Sequence, residues 1–149
     1  MARFSAQAEE TLRGAGWRPG RQVPDVVALW KERLMLSDGF EMFESAEEVL
    51  LEFGGLCIDQ QGAGVTCAGE PFNFDPSLAA GEGDRFSDLS SLVNTRLYPL
   101  GEAAGGHLFW AIGENCHVYL LMNDISFIGR NIDEALERLL IGLEAEEIA

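Results

Sequence analysis

An α+β fold, with a central, mainly antiparallel sheet flanked by helices, is predicted by three observations on this 149-residue chain. Apolar residues recur at helical spacing in three segments before residue 54 and again from 132 onward. Short apolar runs separated by glycine- and asparagine-containing turns fill the stretch from 97 to 128. The order is helices, then strands, then a helix, which is not the alternation of an α/β chain. No repeat and no long linker divides the sequence, so residues 1–149 read as a single domain.

Each element has its own signals. Ser5 is placed to cap a first helix in which Ala8, Leu12 and Ala15 share a face, with Gly14 and Gly16 at its end. Trp17-Arg18-Pro19-Gly20 reads as a turn. Pro24 suits the first turn of a second helix, with Val26, Val27, Trp30 and Leu34 inward and Asp38-Gly39 at its end. Ser45 and Glu48 match a capping box for a third helix. Its buried face would be Val49, Leu50 and Phe53, with Gly54 and Gly55 as the left-handed stop. Leu56–Asp59 and Phe72–Phe74 suggest short strands around a glycine-rich loop, 60–70, and a helix is expected near 84–92. Strands are expected at Leu97–Leu100, His107–Ile112, Cys116–Met122 and Ile125–Ile128, the first at an edge because Pro99 has no amide to donate. Asn131 and Glu134 open a last helix whose apolar positions run from Ile132 to Leu143, and residues 144–149 are expected to fray.

The charge is lopsided. Twenty-five acidic residues stand against ten basic ones, a formal net charge of -15. Such a field repels nucleic acid and anionic membranes and attracts basic partners, although acidity alone also serves solubility. No lysine or arginine lies between Arg33 and Arg85, whereas Glu41, Glu44, Glu47, Glu48, Glu52, Asp59, Glu70, Asp75 and Glu82 all do. On the third helix, Glu44, Glu47, Glu48 and Glu52 are spaced to share a face, despite the few tenths of a kcal/mol that like charges at i, i+4 cost. Glu44, Glu47, Glu48, Glu52, Asp59, Glu70, Glu82 and Asp84 are therefore the candidate contacts for a cationic protein. A solvated helix face is the plain alternative for such a charge run.

The residue patterns of common chemistry are missing. There is no P-loop, no G-x-S-x-G, no H-E-x-x-H and no EF-hand loop. Cys57, Cys67 and Cys116 have neither disulfide-framework nor zinc spacing, and buried cysteine acting as a small hydrophobe is their ordinary role. No catalytic, cofactor or metal residue is assigned on these grounds. His107 and His117 fall on neighbouring expected strands and could act as an acid–base pair of a small hydrolase or lyase if a carboxylate joined them. Apolar runs such as 108–112 and 118–122 are five residues long against the ~20 a membrane helix needs. The first residues, Met1-Ala2-Arg3-Phe4-Ser5, carry no apolar signal core, so the cytoplasm is the expected compartment.

Several motifs occur together in one order. They are R-F-S (Arg3–Ser5), A-G-W-x-P-G-R (Ala15–Arg21), G-F-x-x-F (Gly39–Phe43), L-x-E-F-G-G-L (Leu50–Leu56) and F-N-F-D-P (Phe72–Pro76). L-Y-P-L-G-E-A-x-G-G-H (Leu97–His107), V-Y-L-L (Val118–Leu121) and D-E-A-L-E-R-L-L-x-G (Asp133–Gly142) follow. Together they resemble the third family of the SUKH superfamily. That resemblance implies a non-enzymatic immunity protein of a bacterial polymorphic toxin system, with a sheet flanked by helices. It also implies a cytoplasmic partner, the cognate toxin, often a nuclease or deaminase and here expected to be basic. It carries over no catalytic residue. The 60–70 and 77–95 segments match none of these motifs and are where partner choice is expected to lie. A regulatory or scaffold role in binding a non-toxin protein is the alternative within the same superfamily.

Overall fold

Ser5 starts the first helix, α1 (Ala6–Gly14), by accepting a hydrogen bond from the Ala8 amide at 3.2 Å. This satisfies one of the amides that a helix start leaves without a partner. The computed structural model describes residues 3–58, 71–103, 106, 108–122, 124–141 and 146–147. Pro24 lies in the first turn of α2 (Pro24–Asp38), where a missing amide costs nothing, and Gly39 ends that helix at φ 71°.

α3 spans Glu44–Phe53, two residues earlier than its capping signal implies. Phe43 is the N-cap residue, and Ser45 sits inside the first turn with its hydroxyl donated to the Gly113 carbonyl at 3.0 Å. The expected capping box is therefore absent: a buried acceptor on a distant turn takes the serine that a local amide would have used. At the other end Gly54 passes against Trp30, where a Cβ would lie 2.8 Å from the ring and 2.4 Å from the Leu50 carbonyl oxygen. Gly55 then takes the left-handed conformation at φ 84°.

Two short strands follow, β1 (Cys57–Ile58) and β2 (Phe72–Asn73), paired antiparallel. The glycine-rich 60–70 segment lies outside the described residues. Pro76–Ala79 make a 3₁₀ turn with no forewarning in the periodicity, capped by the Asp75 carboxylate on the Ser77 amide at 3.1 Å. α4 is Gly83–Val93 and stops at Asn94 in the left-handed region.

Then come β3 (Leu97–Ala103), β4 (Leu108–Gly113), β5 (Val118–Leu121) and β6 (Ile125–Gly129). α5 (Ile132–Ile141) precedes β7 (Glu146–Glu147). All pairs are antiparallel, and the strands lie side by side in chain order from β1 to β7. Two tail residues thus pair with β6 where the sequence suggests fraying. β3 is not an edge strand, since it lies between β2 and β4. However, β2 reaches it only at Phe72↔Ala103, so Pro99, opposite Ala111, has a strand on one side alone and its absent amide leaves no ladder bond broken. Cys116 belongs to the turn before β5, at φ 72°, and not to the strand.

Aromatic rings join the helical layer to the sheet. Trp17 stacks on Phe53 at 6.3 Å, Phe53 on Phe74 at 5.3 Å, and Phe74 meets Trp110 edge-on at 4.6 Å. Trp110, wholly buried, donates its indole N–H to the Asn73 carbonyl at 2.7 Å. On the α4 side, Phe86 bridges Phe40 (5.2 Å) and Phe109 (5.9 Å). Such contacts combine large apolar burial with favoured ring geometries. Among the described residues, no helix is long and apolar enough to cross a membrane.

Candidate functional site

Periodicity alone places four carboxylates together on α3; the structure separates them by what they touch. Glu52 is withdrawn from the face. It receives the Arg3 guanidinium at 2.5 Å and the Trp17 indole N–H at 2.9 Å, and only 22% of its side chain is exposed. Arg3 also holds Asp133 of α5 at 2.7 Å and lies over the Phe4 and Phe53 rings. Hydrogen bonds donated to Asp133 and Glu52 hold Arg3 above its ordinary pKa. Glu52 therefore clamps the N-terminus, α3 and, through Arg3, α5 together.

The remaining three keep the surface role open. Glu47 is half-buried and approaches Lys31 of α2 at 3.5 Å. Glu44 and Glu48 are exposed, and neither side chain has a hydrogen bond or ion pair with any described residue. Glu44 and Glu47 lie in the first turn of α3, where the helix dipole offsets part of their mutual repulsion. Glu48 lacks that advantage and repels Glu44 at i, i+4.

Glu82 and Asp84 stand elsewhere, at the junction of α2 and α4. Glu82 pairs with Arg85 at 3.5 Å, and Asp84 is an exposed first-turn acid of α4. The junction is tied by Asp38, whose carboxylate accepts from the Gly81 amide at 2.9 Å and the Gly83 amide at 3.1 Å. Asp59 and Glu70 lie outside the described residues.

One charged cluster has no sequence signal. Arg96 grips Glu114 with two hydrogen bonds of 2.8 Å and Glu41 with one of 2.6 Å. Its partners are 18 and 55 positions away, so neither helical nor strand spacing could pair them. The cluster borders a polar cleft of about 250 Å³ lined by Asp38, Glu41, Phe43, Ser87, Ser90 and Arg96 among others. The cleft's described lining sets Ser87 and Ser90 alongside the Asp38 and Glu41 carboxylates and includes no histidine or cysteine.

Only one histidine of the pair, His117, lies among the described residues. His117 packs against the Phe127 ring at 5.4 Å and the Tyr119 ring at 6.4 Å, with no carboxylate among its contacts with described residues. His107 lies outside the described residues. Cys57 and Cys116 are exposed, contrary to the expectation of buried small hydrophobes, because one sits on the short β1 and the other in a turn. Cys67 is not described. Among the described residues, no three of His, Cys, Asp and Glu are grouped so that they could hold a metal ion.

α3 presents Glu44 and Glu48 outward, with Glu47 linking that face to α2. A family model described as SUKH-3 immunity protein matches residues 4–142. No curated protein and no solved structure matches the chain.

Proposed function

The chain belongs to the SUKH-3 immunity protein family, and on that premise we propose that it neutralises a basic, nucleic-acid-acting toxin domain by covering its active site. The observation that carries this reading is the pair of exposed α3 carboxylates, Glu44 and Glu48, left without a cation among the described residues of a chain with net charge -15. A nuclease must be cationic where it grips phosphate. An acidic surface is drawn to that site, speeds the encounter and then excludes the substrate. Occlusion of this kind needs no turnover, no metal and no cofactor from the inhibitor. Inside the producing cell it places the chain in the cytoplasm, where the toxin would otherwise reach nucleic acid.

Co-expression with the toxin domain encoded in the neighbouring reading frame tests the reading. Growth should be restored by the wild-type chain. Continued killing at equal protein levels would overturn the proposal. In the purified pair, Glu44→Gln combined with Glu48→Gln should slow association several-fold at low salt and leave dissociation nearly unchanged, the pattern of steering charges.

A further inference from the structure

The outward side of α2 carries large apolar residues among its charged ones. Its inward residues are Val27, Trp30 and Leu34. Yet Leu29 is 50%, Met35 47% and Leu36 79% exposed, and these are three of the six large apolar side chains most exposed among the described residues. Single exposed apolar residues are ordinary, but a cluster on one helix is not. Leu29 and Leu36, seven positions apart, share a face. Met35 and Leu36 reach a groove of about 520 Å³ whose floor includes the buried Met42 and whose rim carries Lys31, Glu32 and Glu41.

This groove adjoins the acidic face of α3. Lys31 lines it and also meets Glu47 at 3.5 Å, which brings the apolar side of α2 beside Glu44 and Glu48. Lys31 is held by Glu47 and Arg96 by Glu41 and Glu114, while Arg33 is exposed on α2 itself; with Glu32, Glu41, Glu44 and Glu48 exposed as well, the surroundings are on balance acidic around an apolar centre. An apolar centre with a charged rim is the anatomy of a protein interface. Its sign says what seats there: a surface that is basic at its margin and offers an aliphatic or aromatic side chain at its middle.

The structure assigns the apolar half of the toxin interface to Leu36 and Met35 of α2, entered by an apolar side chain of the basic toxin domain. This rests on the immunity reading above and adds to it the anchor that charge alone does not supply. Long-range charge sets the rate of encounter, and the buried anchor sets the residence time. Methionine at the mouth suits a groove that must mould itself to a partner.

The full-length chain and the inactivated toxin domain from the neighbouring reading frame provide the test, with association and dissociation followed separately. Leu36→Asp should weaken binding about 30-fold or more, chiefly through faster dissociation, as expected for a central anchor. Leu36→Met should stay near wild type, and Leu92→Asp on α4 should change nothing. Leu36 is so exposed that its replacement should leave the urea midpoint unmoved; should the aspartate variant lose stability, Leu36→Ala carries the test with about a tenfold loss. Wild-type affinity in both Leu36 variants would overturn the assignment while leaving the immunity reading intact. A wild-type chain that is a dimer when alone and becomes a monomer with Leu36→Asp would also overturn it, because the groove would belong to a second copy. No binding by the wild type at all would sink the immunity reading and this surface with it.

Discussion

Glu52 and Glu48 are four residues apart on one helix and do different work. Glu52 holds Arg3 and the Trp17 indole, so Glu52→Ala should cost about 1–3 kcal/mol in urea unfolding, the usual loss when charged hydrogen bonds are broken. Glu48→Ala should stay within about 0.5 kcal/mol, as exposed sites without partners do. Equal effects from the two would refute the separation of clamp and contact. Tyr98 is a different case. It is fully buried between Phe40 and Phe43, and its hydroxyl has no hydrogen-bond partner among the described residues. Burial pushes its phenol well above the ordinary value, so it stays neutral at any physiological pH. Removing an unsatisfied hydroxyl should help, and Tyr98→Phe should raise stability by about 1 kcal/mol in the same assay. A loss of stability there would mean that the hydroxyl has a partner after all.

Between elements, the joints are made by small residues and one carboxylate. Gly101 of β3 lies so close to β2 that a Cβ would stand 2.2 Å from the Asn73 carbonyl oxygen. Gly101→Ala should therefore push β2 away and cost about 2 kcal/mol or more, a backbone clash having no flexible side chain to absorb it. Thermal unfolding would show this as a lowered midpoint. Asp38 joins the end of α2 to the start of α4. Burial works against its ionisation, but the Gly81 and Gly83 amides and the Ser37 hydroxyl overcome that and hold it below the usual carboxylate range. A depressed carboxylate stabilises the fold fully above its unfolded value of about 3.9 and loses that contribution as pH falls through the lower folded value. The stability gap between wild type and Asp38→Asn should then be constant from neutral pH down to about 4 and close below it. A gap that persists undiminished in strong acid would show that the charge is not what holds the joint.

At the scale of the molecule, the proposed function has net charge and the α2–α3 surface act together. Raising salt from about 0.05 M to 0.5 M should slow association with the toxin by at least tenfold, since screening shortens the Debye length below the span of the acidic face. Salt-independent association would remove charge from the mechanism. The order of elements, most helix starts and the turn positions were legible in the sequence, because caps, prolines and glycines act over a few residues and need no tertiary partner. The uneven charge was legible too, since it is a count. Three things were not. Ser45 carries a perfect local signal and spends its hydroxyl on Gly113; Pro99 marks an edge within a strand that is not itself an edge; and Glu52 has the same spacing as its neighbours but a distant arginine and a buried tryptophan beside it. The sequence by itself determined an acidic α+β chain of the SUKH-3 kind. Only the tertiary structure decided which carboxylates lack partners among the described residues and that an apolar groove lies beside them, because periodicity assigns a residue to a face while partners from distant segments decide what that face can still bind.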